Sequence, residues 1–364
     1  MSAVAEAGHI LITGGAGFIG SNLADRLATD GCRVVVLDAL VRPGVAANIE
    51  WLRARHGGRI AVEVADVRDP GAVVRAVRGA GAVFHLAAQV AVTTSLAAPR
   101  ADFETNVLGT LNVLEAVREC DPGIPLVFAS TNKVYGDLAD IALVSSPTGY
   151  RPADARLAAA GIGEERRLDF HTPYGCSKGA ADQYVLDYSR SFGLRTTVLR
   201  MSCIYGPRQF GTEDQGWVAH FLIRMLEEGT ITLYGDGEQV RDVLDVSDAV
   251  DAYCAAARQI DLVRGRAFNL GGGADNTVSL KSVLAHLAEL LGRAPRIRHE
   301  EWRAGDQRYF VSDTGAIRSA LGLPPPRPWR DGIARLALWL AETRGCAEAA
   351  ARLRRLAGDG GMAA

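Results

Sequence analysis

The stretch HILITGGAGFIGSNLADRLATD, His9 to Asp30, decides the fold. HILITG is short, apolar and β-branched, which reads as a buried strand. FIGSNLADRLATD has helical periodicity. Between them Gly14, Gly17 and Gly20 stand at three-residue spacing. Gly14 permits a tight turn, Gly17 lets the backbone approach a pyrophosphate, and Gly20 lets the helix pack close to the sheet. An anion bound there meets free N–H groups and the positive end of the helix dipole. Ala16, Phe18 and Ile19 fill the rest of the loop and belong to the same candidate dinucleotide contact.

The next strand ends support that reading. RVVVLD closes on Asp38, 24 residues after Gly14. A carboxylate there can accept from both ribose hydroxyls of NAD and would repel the 2′-phosphate of NADP. Arg42 is near enough to soften that preference, and NAD is the expected cofactor. VADVRD offers Asp66 and Val67 to an adenine ring. AVFHLAA ends in Leu86, Ala87 and Ala88, small enough at its close for the backbone to pass beside a cofactor. His85 in that run reads as a packed histidine without a role.

Working outward, HILITG, RVVVLD, IAVEVAD, AVFHLAA, PLVFAS and RTTVLR alternate with helical stretches over the first 200 residues. Near-continuous apolar strands joined by helices imply a parallel sheet covered on both faces. Right-handed crossovers make it a doubly wound α/β Rossmann sheet. After Arg200 the pattern loosens, and a smaller mixed C-terminal domain is expected to carry the substrate. The expected organisation is 1–200 for the dinucleotide, with 240–270 returning to it, 201–345 for the substrate, and 346–364 as a C-terminal tail frayed at AGDGGMAA. The segment Leu138 to Phe170, with its Pro, Gly and charges, is expected as a partly ordered flap beside the active site.

Composition excludes several classes. A net charge of −2 gives no basic field for nucleic acid. No run of 18 apolar residues predicts a bilayer span, and MSAVAEAGH lacks the basic and apolar pattern of a signal peptide. The six cysteines are scattered without a C-x-x-C pair, which suits reduced thiols and a cytoplasmic location. No metal is expected.

The chemistry is expected from two further segments. YGCSK places Tyr174 and Lys178 four residues apart near a helix start, on one face. A phenol titrating near 10 is a poor base at neutral pH, whereas a neighbouring ammonium and a cationic nicotinamide favour the phenolate. Bringing it near 7 takes about 4 kcal/mol of differential stabilisation. Tyr174 could then take a proton from a substrate hydroxyl while hydride leaves the same carbon. STNKVYGD, Ser130 to Asp137, follows the strand PLVFA and puts Thr131 where it can hydrogen-bond that hydroxyl. Only Lys133, Lys178 and Lys281 are lysines among 40 basic residues, so a lysine here is less readily surface filler.

Taken with HLAAQ, TNVLGTLNVLEA, YGPRQ, GDGEQVRDVLDVSD and GDQR, these motifs resemble the extended short-chain dehydrogenase/reductases of the nucleotide-sugar epimerase/dehydratase group. The match runs over about residues 8 to 340. The resemblance implies Thr131, Tyr174 and Lys178 as the catalytic set. It implies further cofactor contacts from Gln89, Asn106 and Met201. It implies substrate contacts from Gln89, Thr93, Thr131, Asn132, Lys133, Cys203, Arg208, Arg241 and Arg308, with Arg241 and Arg308 on the nucleotide diphosphate. It also implies a homodimer, through helices starting near Asp102 and Tyr174.

Within that group the residues after Thr131 discriminate. Sugar 4,6-dehydratases carry an Asp-Glu pair there, and UDP-glucuronate decarboxylases a Glu. Asn132 and Lys133 cannot do a carboxylate's work, so elimination is disfavoured and transient oxidation to a ketosugar with net epimerisation remains. STNKVYGD, QVAVTTSLAAPRADFETN and GEQVRD resemble the CDP-paratose 2-epimerase branch, and Cys203 fits it. A 4-epimerase, a dehydratase or decarboxylase on the same scaffold, and an NAD-binding sensor without turnover stay open as alternatives. The tract LRMSCIYGPRQFGTEDQGW departs from the expected pattern and leaves nucleotide, sugar and carbon open.

Overall fold

The computed structural model describes residues 8–303 and 305–359. Seven parallel strands form the central sheet: β1 (His9–Thr13), β2 (Val34–Asp38), β3 (Ile60–Val64), β4 (Ala80–His85), β5 (Leu126–Thr131), β6 (Thr196–Met201) and β7 (Ala267–Leu270). Their spatial order is β7-β6-β5-β4-β1-β2-β3. The direction of winding reverses between β1 and β4, the switch point at which such sheets open a crevice at their carboxyl ends. The sheet is the doubly wound one expected from the sequence.

Alternation along β1 shows why this sheet needs two covers. Ile10 and Ile12 pack with Val34, Val36, Phe84 and Tyr253 on one face. Leu11 points the other way, among Leu37, Val83, Val113, Phe128 and Val185. The helices Phe18–Thr29, Val45–His56 and Val246–Arg258 supply the first face, and Pro70–Val77, Gly109–Cys120 and Thr172–Phe192 the second. Every residue of β5 is buried. Each large apolar side chain so enclosed contributes about 1.5–3 kcal/mol relative to exposure.

The C-terminal lobe is mixed. Thr230–Tyr234 and Arg296–Glu300 pair in parallel, and Val240–Asp245 pairs with Cys203–Tyr205, Thr277–Ser279 and Tyr309–Phe310. Helices Trp217–Leu226, Leu280–Leu291 and Trp329–Thr343 enclose the lobe's core. The stretch 240–270 is shared: strand Val240–Asp245 belongs to this lobe, whereas helix Val246–Arg258 and β7 pack with the central sheet.

Two expectations need correction. Within the stretch 346–364, expected as a C-terminal tail, Ala347–Asp359 form a helix whose Ala350 and Leu353 are buried against helix Trp329–Thr343. Residues 360–364 lie outside the described residues. Residues 138–170, expected as a partly ordered flap beside the active site, are ordered and do not line the cavity. They form the hairpin Leu143–Ser146 and Gly149–Pro152 followed by helix Ala155–Ala160. Tyr150 N donates to Glu238 O at 3.0 Å and Ile162 N to Val311 O at 2.7 Å, which dock the segment on the C-terminal lobe. Its Leu138, Ile162 and Phe170 pack against Val134, Tyr135 and Phe310, so it braces the segment after β5 from behind.

Candidate active site

The carboxyl ends of six strands open on one cavity of about 400 Å³. Gly14, Asp38, Ala65, Leu86, Thr131 and Met201 bring β1, β2, β3, β4, β5 and β6 to its wall. Phe18, Ile19, Asp66, Val67, Ala87 and Ala88 line its half beside the glycine turn, where the sequence leads one to expect the dinucleotide.

The glycine turn is built for close approach. Gly14 has φ of +70°, and a Cβ on it would stand 2.6 Å from Ala87 N. Helix Phe18–Thr29 starts at Gly17 with no side-chain cap among the described residues and no acid in its first turn, so its N–H groups are left to a ligand. Asp38 accepts from Ala16 N at 3.0 Å and from Leu40 N at 2.8 Å. Burial raises its carboxyl, while those two donors and Arg42 pull the other way. Ala16 itself is buried behind Asp38 rather than on the cavity wall. The Arg42 guanidinium donates to Gln215 Oε1, tying the mouth of this half to the loop before Trp217.

Thr131 ends β5, and Tyr174 and Lys178 face it from helix Thr172–Phe192. All three line the cavity, at 8%, 8% and 3% exposure, little enough for burial to govern their protonation. Burial pushes the Tyr174 phenol up to about 12, opposed by a hydrogen bond with Thr131. Burial pushes Lys178 down to about 7, opposed by Asp182 and Asp102. The Lys178 ammonium donates to Ala129 O at 2.6 Å and sits 4.2 Å from the Phe128 ring centroid.

Beside the substrate half lies a half-buried cationic cluster. Lys133 Nζ donates to Gly305 O at 3.1 Å, and Arg241 pairs with Asp306 at 2.7 Å. Burial pushes Lys133 down to about 8, with Arg241 adding to the shift and Asp306 opposing it. Asn132 Nδ2 donates to Gln307 Oε1 at 3.2 Å. Cys203 lines the cavity and accepts from Trp217 Nε1 at 3.4 Å, and burial raises its thiol.

Other expected contacts lie elsewhere. The Gln89 amide turns to Asp102 Oδ1 at 2.8 Å, and Asn106 brackets the Gln89 backbone at 2.9 and 3.1 Å. Both are committed to holding the chain after β4. Thr93 is exposed on a short helix. Arg208 stacks 3.8 Å over Trp51, and the exposed Arg308 lies 5.2 Å from the Trp302 ring. Neither lines the cavity wall, and neither do Asn132, Lys133 and Arg241. Sequence reasoning missed Gln209, Gln215, Trp217 and Val218, which close the substrate half. Their signal was the Gly/Pro-rich tract YGPRQFGTEDQGW running into a helix.

Comparison with known proteins decides the family. A family model described as "NAD dependent epimerase/dehydratase family" matches residues 10–271. The chain belongs to that family. A CDP-paratose 2-epimerase from Salmonella typhi is 42% identical over 337 residues, covering 91% of this chain and 98% of that protein. The Thermus thermophilus UDP-glucose 4-epimerase in complex with NAD superposes with a TM-score of 0.75 at 33% identity, covering 93% of this chain and 99% of that one. A dTDP-glucose 4,6-dehydratase from Streptomyces venezuelae with NAD and TYD bound gives 0.78 at 30% identity, covering 93% and 98%. NAD is the cofactor of this epimerase/dehydratase family member. The uncapped helix start, the glycine turn that a Cβ would obstruct and the Asp38 carboxylate fit that dinucleotide. Among the described residues no helix is long and apolar enough to cross a membrane.

Proposed function

We propose that this family member is a nucleotide-sugar 2-epimerase acting on a CDP-linked hexose. The observation that carries the reading is the Asn132–Lys133 pair directly after Thr131. One is tied to Gln307 and the other to Gly305 beside the substrate half, where elimination would need an acid–base pair of carboxylates. The 42% identity to a CDP-paratose 2-epimerase supports carbon 2 and the cytidine nucleotide.

The glycine turn and the start of helix Phe18–Thr29 would hold the NAD pyrophosphate, Asp38 the adenosine ribose, and Asp66 with Val67 the adenine. NAD, when bound, would supply reversible hydride acceptance at the sugar carbon. Tyr174 would remove the proton of the sugar hydroxyl and later return it. Thr131 would hydrogen-bond the same oxygen, and Lys178 would keep positive charge beside the base. Lys133 and Arg241 would face the diphosphate, the role guanidinium and ammonium groups suit. Release of the sugar ring between oxidation and reduction would let hydride return to the opposite face, giving no net redox change.

The test is turnover of CDP-hexoses deuterated at carbon 2, followed by NMR. The expected result is inversion at carbon 2 with the label retained and no solvent hydrogen at carbons 5 or 6. Solvent hydrogen at carbon 5 with loss of the 6-hydroxyl would establish a dehydratase, and inversion at carbon 4 a 4-epimerase. We further propose a homodimer, since Phe103, Tyr184 and Phe192 are exposed on the helices expected at the interface. Light scattering at twice the chain mass is the expected outcome.

A further inference from the structure

We propose that the buried Asp182–Arg200 pair is a positioning device for Lys178, holding its ammonium charged and the end of β5 in register without touching substrate or dinucleotide. The proposal rests on the reading of Lys178 as a catalytic group.

The geometry points that way. Asp182 lies one helical turn beyond Lys178, on the same face of helix Thr172–Phe192. Arg200, from β6, donates through Nε to Asp182 Oδ2 at 3.0 Å and through an Nη to Oδ1 at 2.9 Å. The two side chains, Asp182 and Arg200, are 0% and 5% exposed, so this bidentate pair is nearly dry. Ser130 Oγ also donates to Asp182 Oδ2, at 2.7 Å, and Ser130 is the neighbour of Thr131. The remaining arm of Arg200 reaches Tyr135 OH at 3.2 Å, and that hydroxyl donates to Asn269 Oδ1 at 2.8 Å. One carboxylate therefore joins the catalytic helix, β5, β6 and β7.

A buried ion pair is a costly way to hold elements together, and well-packed apolar groups often do as well. What an apolar pair cannot do is present a carboxylate to a neighbouring ammonium. The groups around Lys178 show the need. Tyr174 and Asp182 face it from its own helix, and Asp102 from helix Pro99–Phe103. From β5 come the Phe128 ring and the Ala129 carbonyl, and from β4 comes His85. His85 is locked between Thr13 and Thr110, and burial with the Lys178 charge pushes it down to about 3, so it carries no charge. Asp102 is occupied by Ser177 and Gln89. Asp182 is the larger of the two carboxylate influences that keep Lys178 protonated against its burial.

The chain's three lysines make a direct test practical. Lysine labelled with carbon-13 at Cε gives three resolvable signals, assigned with Lys133→Met, Lys178→Met and Lys281→Met. The protein is titrated as purified and again saturated with NAD. Asp182→Asn is expected to lower the Lys178 pKa by about one pH unit, a tenfold change in acidity. Asp182→Glu is expected to restore most of it. The alkaline limb of kcat is expected to move with the NMR value. Breaking a buried pair can unfold a protein, so Asp182→Asn combined with Arg200→Gln provides a neutral pair, in which a smaller downward shift is expected because the Arg200 charge leaves with the carboxylate. A folded single or double variant in which Lys178 titrates as in the wild type would overturn the proposal. Retained turnover in Lys178→Met would instead overturn the catalytic reading, while the NMR shift would still report on the pair.

Discussion

The side-chain amide of Asn132 donates to Gln307 Oε1 at 3.2 Å, joining residues 175 positions apart. Gln307 in turn donates to the Gly136 carbonyl at 2.6 Å and is fully buried. The loop before strand Tyr309–Phe310 is thus clasped to the segment that follows β5. Arg241 is held in the same place through Asp306. Asn132 is therefore a structural tie, and in the proposed function it stands where elimination chemistry would need a carboxylate.

Asn132→Ala removes the donor and leaves the Gln307 oxygen buried without it. Stability is expected to fall by about 1–3 kcal/mol. Urea denaturation followed by circular dichroism checks this, with an unchanged NAD affinity as the control. A variant as stable as the parent would show that the tie is dispensable.

Tyr174→Phe removes the only proton that the phenol can exchange while keeping its ring in the wall. Turnover is expected to fall by about 10²–10⁴-fold, the usual share of a positioned acid–base group. NAD is expected to stay bound, read by absorbance after denaturing the purified protein. Unaltered turnover would remove Tyr174 from the chemistry.

The dinucleotide half was legible because its signals are local. Gly14, Gly17 and Gly20 are dictated by backbone geometry within one turn, and Asp38 by its place at the end of an apolar run. Tyr174 and Lys178 were legible because helical spacing places both on one face. What escaped depends on who else competes for a side chain. Arg208 had the right charge, but Trp51, far earlier in the chain, offers a ring that takes the guanidinium. Gln89 and Asn106 sit beside the cavity, yet Asp102 and Ser177 engage their amides. The tail was misread for a similar reason: Ala350 and Leu353 find a partner face on helix Trp329–Thr343 that no local pattern announces.

Gly14→Ala tests the cradle. Gly14 sits at φ +70°, and its Cβ would meet Ala87 N at 2.6 Å and Leu86 C at 2.8 Å, both backbone atoms. The left-handed conformation alone costs about 1–2 kcal/mol with a Cβ present. The clash further displaces the turn from the start of helix Phe18–Thr29. Thermal unfolding is expected to move to lower temperature and NAD affinity by calorimetry to weaken by more than tenfold. Intact affinity would mean that the turn does not approach the pyrophosphate.

The pH dependence of substrate affinity tests Lys133. Burial and the nearby Arg241 hold it at about 8, while Asp306, Cys203 and Asp137 favour its charged form. It is charged below that pH and neutral above it. If the ammonium faces the substrate diphosphate, KM for the nucleotide-sugar is expected to rise as the pH passes upward through about 8. Lys178, held at about 7 and proposed to act on the chemical step, is expected to appear in kcat rather than KM. Lys133→Met is expected to raise KM at neutral pH by about tenfold, the loss of one charge-assisted hydrogen bond, and to flatten its pH dependence. Lys133→Arg keeps the charge at every pH used, so its KM is expected to stay level as the pH rises through the same range. A wild-type KM that does not change across that range, with Lys133→Met binding as tightly as the parent, would place the ammonium away from the substrate and leave it a strut for the Gly305 carbonyl.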